Sequence, residues 1–256
     1  MKGLLTALRT LTTLRLPPRA NEDLASSLPW FPVAGLLLGL MLSAAAGIWG
    51  ALAPDWPEAG GMLLVAAGVL LTGGLHLDGL ADWADALGAS RDREVRLAVM
   101  KDPRVGSFGV IALFLIIAAK WTALERILEA GSAAYIPLAL IASRWLMAEL
   151  SCKLPSARAG IGTAAPFISG ATWGRRIAAG GLGLGLCLPW GLIGAGFFGL
   201  AWAAGLMWSG HCRRGFGGIT GDLLGACGEI VEVVLLFAIC FLPTEPVLWY
   251  TIPGLW

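Results

Sequence analysis

Residues 177–208 read IAAGGLGLGLCLPWGLIGAGFFGLAWAAGLMW, 32 consecutive positions without a charged side chain. A single helix of this length would extend about 48 Å, whereas the hydrocarbon core of a bilayer is about 30 Å thick. Proline, tryptophan and glycine at 189–191 lie near the middle of the stretch and are typical of a turn. The stretch therefore predicts two short, glycine-rich membrane-spanning helices joined by that turn.

The composition of the whole chain also indicates a membrane protein. Of its 256 residues, 57% are hydrophobic and 14% are charged, and the mean hydropathy is +0.76, whereas soluble domains carry about 25% charged residues. The 18 basic and 17 acidic residues leave a net charge of +1, which argues against a nucleic-acid partner. Five scattered cysteines without a CxxC pair indicate neither a disulfide framework nor a zinc site.

Five further apolar runs are candidate membrane spans: 31–53, 60–75, 106–124, 133–150 and 223–242. Together with the two helices of 177–208 they make seven. The expected fold class is all-α, a polytopic helical membrane protein with about seven transmembrane helices. No repeat or linker divides the chain, so we expect residues 1–256 to form a single integral membrane catalytic domain.

The placement of the basic residues predicts the orientation. In a seven-span chain the N-terminal segment and alternate loops hold 15 of the 18 basic residues, which assigns them to the cytoplasm. We expect a multi-pass protein of the bacterial or archaeal cytoplasmic (inner) membrane, with its N-terminus and active site facing the cytoplasm. Residues 3–15 interleave leucines with Arg9 and Arg15, which predicts an amphipathic interfacial helix on the cytoplasmic leaflet.

The first acidic motif is GGLHLDGLADWADALG at 73–88. Asp78, Asp82 and Asp85 recur at i, i+4 and i+7, which places them on one face of a helix. Such carboxylates repel one another unless a cation lies among them, and Mg²⁺ is commonly held by carboxylates together with substrate phosphates. The pattern indicates a Mg²⁺ site, with a solvated acidic helix end as the alternative. His76 is a candidate catalytic base, or else a hydrogen-bonded structural histidine.

The segment MKDPRVGSFG at 100–109 follows and supplies basic residues. Lys101 and Arg104 are candidate phosphate ligands, because a guanidinium can bind a phosphate through two parallel hydrogen bonds. Arg91, Arg93 and Arg96 precede them, and attraction to anionic lipid headgroups explains these three equally well.

The second acidic motif is GGITGDLLGACGEIVEV at 217–233. Asp222, Glu229 and Glu232 recur at i, i+7 and i+10 and enter an apolar run, where ionisable groups are candidates for function. A structural pair between one glutamate and Arg144, which also lies within a predicted span, is an equal alternative. Both acidic motifs lie on the cytoplasmic side of the seven-span topology, so we expect them to meet.

Taken together, GGLHLDGLADWADALG, MKDPRVGSFGV and GGITGDLLGACGEIVEV resemble the signature segments of the cobalamin synthase family, the adenosylcobinamide-GDP ribazoletransferases, and the resemblance covers nearly the whole chain. Trp83 and Ile219 depart from the residues usual in the family, but every carboxylate is retained. The resemblance implies a Mg²⁺-dependent transferase of late vitamin B12 biosynthesis. Such an enzyme joins adenosylcobinamide-GDP to α-ribazole or its 5′-phosphate and releases GMP, by attack of a ribose hydroxyl on the diphosphate.

With the resemblance, each candidate residue receives an expected role. The expected catalytic residues are His76, Asp82 and Arg104. The expected metal ligands are Asp78, Asp82, Asp85 and Asp222. The expected substrate-binding residues are Arg91, Lys101, Arg104, Arg144, Gly218 and Thr220. The expected partners are the two substrates and the lipid bilayer, and self-association or association with other cobalamin-pathway enzymes stays open.

Two other functions remain open from the sequence. Another Mg²⁺-dependent membrane phosphotransferase would also carry aspartates at the cytoplasmic ends of helices, although DGLADWAD lacks the spacing of prenyltransferase and CDP-alcohol transferase motifs. A cation-coupled transporter would use Glu229, Glu232 and Arg144. Transport requires carboxylates near mid-membrane with access from both sides, whereas the acidic clusters gather at one side, which favours the enzyme.

Overall fold

A computed structural model of the protein describes residues 2–17, 22–158 and 162–242. Within these ranges no β-strand forms, which confirms the all-α class, and one isolated bridge joins Ser156 to Ile219. The helices are α1 Lys2–Leu11, α2 Phe31–Leu52, α3 Pro57–Thr72, α4 Leu75–Ala89, α5 Arg93–Val99, α6 Ser107–Glu129, α7 Ile136–Lys153, α8 Ala165–Ser169, α9 Trp173–Cys187, α10 Gly191–Phe216 and α11 Gly221–Ile239.

Several helices are long and apolar enough to cross a membrane. Four such segments occur in the described residues, or five if α3 and α4 together count as one bent span. They are Leu24–Leu52, Ser107–Glu129, Ala133–Lys153 and Trp173–Phe216. The 16-residue α3 alone and α11, which carries three acidic side chains, are not among them. The polytopic membrane class is thus confirmed, while the number seven stays a prediction.

The segment Trp173–Phe216 is a helical hairpin. Phe198 of α10 packs on Gly183 of α9, where a Cβ would lie 2.9 Å from the ring, although one straight helix would hold these residues about 22 Å apart. A 3-10 turn at Leu188–Trp190 reverses the chain, and Gly191 follows with φ +61°, a conformation that glycine adopts at little cost. The predicted break at 189–191 is confirmed.

The chain bends by 94° between α3 and α4. Gly73 and Gly74 form the bend with φ of +65° and +68°, in the left-handed region that favours glycine. Because of this bend, α4 runs across the end of α3 instead of continuing it. The first acidic motif therefore lies on a separate helix.

Helix α7 forms the centre of the protein, and every residue from Ile136 to Ser151 is buried. It packs closely on α2, where a Cβ on Gly35 would lie 2.3 Å from the Leu140 carbonyl oxygen and one on Gly39 would lie 2.5 Å from the Pro137 Cα. Small residues at such crossings let membrane helices approach one another.

The predicted N-terminal amphipathic helix is present as α1, although it ends at Leu11 instead of continuing to 15. Its buried face includes Thr6, Ala7 and Leu11, and Thr6 and Arg9 both bond to Glu22. Helix α1 is thus anchored to the protein itself, and its position on a leaflet stays a prediction.

Candidate active site

The two acidic motifs meet where α4 crosses the start of α11. A Cβ on Gly79 of α4 would lie 2.8 Å from the Cα of Asp222, and a Cβ on Gly225 of α11 would lie 3.1 Å from the Cα of His76. The absence of side chains at these glycines lets the two backbones approach closely. The expectation that the motifs meet is confirmed.

Gly218 and Thr220, which lie just before α11, each make a close contact with the backbone. Gly218 is buried, and a Cβ there would lie 2.3 Å from the Pro155 carbonyl oxygen. The Thr220 hydroxyl accepts a hydrogen bond from the Leu223 N–H and so caps α11. Both residues thus help to position Asp222, and their expected substrate contacts stay predictions.

A cavity of about 300 Å³ lies beside the crossing of α4 and α11. Its wall is largely apolar and is built from helices that are distant in sequence, including α1, α4, α7 and α11. Its polar lining residues are Thr10, His76, Asp78, Ser151, Thr163 and Asp222. Largely apolar cavities with a few converging polar groups are the usual form of small-molecule sites.

Negative charge predominates at this side of α4. The charge of Asp82 interacts with those of Asp78, Asp85 and Asp222, all of the same sign. Arg158 opposes them, with its Nη1 3.3 Å from Asp222 Oδ2. One guanidinium does not balance these carboxylates, so a further cation would relieve their mutual repulsion.

Three of the four expected metal ligands, Asp78, Asp82 and Asp222, interact with one another, and their binding of Mg²⁺ stays a prediction. In the described ranges no group of three or more His, Cys, Asp or Glu side chains is arranged around a common metal position. Mg²⁺ does not need such a cage, because it is usually held by one or two carboxylates together with water and phosphate oxygens. Asp78, Asp82 and Asp222, at one side of the crossing, provide carboxylates of this kind.

Asp85 makes different contacts. Its two carboxylate oxygens accept hydrogen bonds from the backbone N–H groups of Gly106, at 2.7 Å, and Gly109, at 2.8 Å. These groups belong to the start of α6, where unsatisfied N–H groups and the helix dipole attract an anion. Asp85 therefore caps α6, which argues against its expected role as a metal ligand.

The basic segment 100–106 lies away from the cavity. Lys101 is exposed, and the Arg104 side chain is 86% exposed. Arg104 donates to both carboxylate oxygens of Asp102, at 2.9 and 2.6 Å, and these hydrogen bonds lower the pKa of Asp102 to about 2. Neither Lys101 nor Arg104 lines the cavity, whereas Arg104 and Asp85 line one groove at the start of α6. The expected substrate contacts of Lys101 and Arg104, including the catalytic role of Arg104, stay predictions. Arg91 is likewise exposed and lines a different groove.

A buried charge cluster connects α6, α7 and α11. Lys120 Nζ lies 2.7 Å from Glu229 Oε2 and 2.6 Å from Glu232 Oε1. Arg144 Nη2 lies 2.9 Å from Glu232 Oε2. Two positive and two negative side chains thus balance one another, as burial of charge in an apolar interior requires.

This cluster decides between the two interpretations of Arg144. Its side chain is 1% exposed and pairs with Glu232, so the structural pair is present, which argues against the expected substrate contact. Sequence reasoning did not assign Lys120 to the cluster. A lysine in the middle of the apolar run 106–124 is the signal that indicates such a partner.

His76 lies between the cavity and the buried charge cluster. The residue is 3% exposed and lines the cavity. Its Nδ1 lies 4.0 Å from Glu229 Oε1, and neither ring nitrogen has a hydrogen-bond partner in the part of the chain that the structure describes. A neutral imidazole with a free nitrogen can accept a proton from a molecule in the cavity.

Comparison with known proteins gives matches along nearly the whole chain. The sequence model of the cobalamin-5-phosphate synthase family matches residues 3–240. The adenosylcobinamide-GDP ribazoletransferase of Chlorobaculum parvum is 42% identical over 243 residues, which cover 93% of this chain and 94% of that protein. The protein of the same name from Syntrophobacter fumaroxidans is 40% identical over 245 residues, or 91% of this chain and 96% of that protein. No solved structure matches the chain significantly. Matches of this identity and coverage show that the chain belongs to the cobalamin-5-phosphate synthase family.

Proposed function

We propose that this protein joins adenosylcobinamide-GDP to α-ribazole, or to α-ribazole 5′-phosphate, and releases GMP. The name shared by the relatives that match more than nine-tenths of the chain supports the reaction. The structural observation that carries the proposal is the cavity of about 300 Å³ lined by one aspartate from each acidic motif, Asp78 and Asp222.

In the reaction, the ribose hydroxyl oxygen bonds to the phosphorus that bears the cobinamide, and the bond from that phosphorus to the GMP oxygen breaks. The hydroxyl proton passes to a nitrogen of His76, which lines the cavity without a hydrogen-bond partner in the described residues. Arg158 beside Asp222 supplies positive charge and fixes that carboxylate. Phosphoryl transfer depends on positioning and charge stabilisation more than on covalent chemistry.

We propose Asp78, Asp82 and Asp222 as the residues that would hold Mg²⁺. Bound Mg²⁺ would neutralise and align the diphosphate. The excess of carboxylates over cations around Asp82 supports this assignment. Asp82, which the sequence indicates as a catalytic residue, is the alternative proton acceptor.

The proposed location is the cytoplasmic membrane, with the cavity open toward the cytoplasm. The concentration of basic residues in the N-terminal segment and alternate loops supports this orientation. Association with a second copy, or with other enzymes of the cobalamin pathway, is a further proposal. Chemical crosslinking in native membranes, followed by mass spectrometry of the linked peptides, tests it.

The test of function uses the full chain in nanodiscs, incubated with adenosylcobinamide-GDP, Mg²⁺ and either α-ribazole or its 5′-phosphate. Mass spectrometry should detect the cobalamin product and GMP, and EDTA should abolish both. Asp78→Asn should lose activity, whereas Asp55→Asn, which changes an exposed aspartate between α2 and α3, should keep it. Absence of product with either acceptor, in protein that elutes as a single folded species, would contradict the proposal and favour another phosphotransferase.

Cation-coupled transport receives no support from the buried charge cluster. Lys120 contacts Glu229 and Glu232, and Arg144 pairs with Glu232. A carrier needs a carboxylate free to exchange its cation, whereas these side chains already neutralise one another.

A further inference from the structure

An open groove of about 700 Å³ lies between the end of α4, helix α5 and the C-terminal half of α10. We call it the basic groove. Its defining residues are Arg91, Arg96, Leu206, Met207, His211 and Arg214. None of them lines the cavity of the candidate active site.

The arginines of the basic groove carry charge that no carboxylate neutralises. In residues 2–17, 22–158 and 162–242, none of Arg91, Arg96 and Arg214 forms an ion pair, and the groove has no acidic lining residue. Three unneutralised guanidinium groups around one space favour an anion that can accept several hydrogen bonds, such as a phosphate.

Arg96 is held in place before any ligand binds. Its Nε donates to the Ser90 carbonyl oxygen at 2.7 Å, and its guanidinium carbon lies 5.5 Å from the centre of the Phe216 ring. Its Nη1 also reaches the backbone of Gly215, where a Cβ would lie only 2.9 Å away. Because these contacts fix the side chain, an anion binding here would not need to order it.

The other end of the groove is apolar and lies on a helix that can span the membrane. Leu206 is 42% exposed and Met207 is 79% exposed, and both belong to the segment Trp173–Phe216. Leu206, Gly210 and Arg214 follow one another at intervals of four, so they lie along one face of α10. This face changes from apolar side chains to arginine near the end of the helix, as a phospholipid changes from acyl chain to headgroup.

From this charge and its continuity with a membrane-exposed face, we propose that the basic groove binds an anionic phospholipid of the surrounding leaflet. The arginines bind its phosphate, and its acyl chain lies along Leu206 and Met207. The bound lipid would also adjoin the candidate active site, because His211 Nε2 accepts a hydrogen bond of 3.0 Å from Trp83, the residue after Asp82 on α4.

The experiment measures lipid retention by native mass spectrometry of the full chain in detergent, with dioleoylphosphatidylglycerol or dioleoylphosphatidylcholine as the probe. The wild-type protein should retain more phosphatidylglycerol than phosphatidylcholine. Arg214→Gln should reduce this retention about fivefold, because one basic side chain near an anionic lipid contributes about that factor. Arg91→Gln, at another wall of the groove, should act in the same direction.

Arg213→Gln is the matched control. Arg213 is exposed, belongs to the same helical turn and carries the same charge, but it does not line the groove. Retention by this variant should equal that of the wild type. Equal losses in the Arg213 and Arg214 variants would overturn the proposal in favour of diffuse surface charge.

A competition experiment distinguishes binding of a lipid headgroup from binding of a free phosphate. Inorganic phosphate or GDP, added in excess over the lipid, should leave phosphatidylglycerol bound, because neither supplies the acyl chain. Displacement by either, or equal retention of the two lipids by the wild type, would overturn the proposal. The measurement requires no catalysis, so its result is independent of the proposed reaction.

Discussion

Gly79 of α4 lies against the backbone of Asp222 at the start of α11, so closely that a Cβ on Gly79 would be 2.8 Å from the Asp222 Cα and 2.8 Å from its carbonyl oxygen. Backbone atoms cannot rotate away as a side chain can. The close approach of the two acidic motifs therefore requires that residue 79 has no side chain, and the candidate site depends on that approach.

Gly79→Ala should consequently separate α4 from α11 and reduce transferase activity. Overpacking of a tight contact costs about 1–3 kcal/mol of unfolding free energy, which thermal unfolding in detergent measures alongside the rate of GMP release. Gly68→Ala is the control, because the nearest atom to a Cβ there is 4.0 Å away. Wild-type activity in the Gly79 variant would show that the motifs need not be in contact.

The buried charge cluster leads to a prediction about charge balance. Arg144→Met leaves Lys120 against both Glu229 and Glu232, an uncompensated negative charge in an apolar interior. Removing one partner of a buried pair costs about 3–5 kcal/mol, so the unfolding midpoint should fall sharply.

Adding Glu232→Gln to Arg144→Met should recover part of that loss, because one lysine then faces one glutamate. Arg126→Met is the control, since Arg126 and its partner Glu129 are exposed and such surface pairs contribute less than about 1 kcal/mol. A double variant less stable than Arg144→Met would contradict the assignment of these four residues to one balanced cluster.

The fold class and the break in 177–208 were predictable because they depend on local properties. The length of an apolar run is visible in the sequence and can be compared directly with the thickness of the bilayer. The break is also local, because the proline in Leu188–Trp190 restricts the backbone and Gly191 tolerates a φ of +61°. The glycines at 73 and 74 indicate that the helix can break there, but the right angle between α3 and α4 was not predicted, because it depends on what α4 packs against.

Among the site residues, too, local properties were predictable and contacts between distant helices were not. The common side of the membrane assigned to the two acidic motifs correctly indicated that they meet, and glycines allow α4 and α11 to cross closely. Helical spacing did not reveal that the start of α6 would engage Asp85, since shared helical position says nothing about the neighbouring helix. The type of side chain suggested that Arg104 binds phosphate, but it did not reveal that Arg104 pairs with Asp102 in its own loop.

His76 and Asp82 are distinguished by different kinetic signatures. His76→Asn should lower kcat about 10²–10⁴-fold at every Mg²⁺ concentration, the usual contribution of a general base. Asp82→Asn should mainly raise the Mg²⁺ concentration needed for half-maximal rate, because it removes one proposed ligand. Rate assays over a range of Mg²⁺ concentrations measure both effects.

His211→Asn serves as the histidine control, because His211 is the other of the two histidines and does not line the cavity. It should keep the wild-type kcat. A wild-type kcat in His76→Asn, together with a kcat that stays low at saturating Mg²⁺ in Asp82→Asn, would transfer the role of base to Asp82.

Asp85 and Asp222 offer the sharpest test of the metal assignment, because they are matched carboxylates with opposite expected roles. Asp85→Asn weakens a cap on α6 and should lower stability by about 0.5–2 kcal/mol while leaving the Mg²⁺ dependence of the rate unchanged. Asp222→Asn removes a proposed ligand beside Arg158 and should raise the required Mg²⁺ concentration with little loss of stability, since Asp222 is partly exposed. Thermal unfolding and Mg²⁺ titration of both variants separate the two effects. The opposite result, in which Asp85→Asn shifts the Mg²⁺ dependence and Asp222→Asn does not, would place the metal-binding carboxylates on the α6 side of α4. The cavity beside Asp222 would then not be the catalytic site.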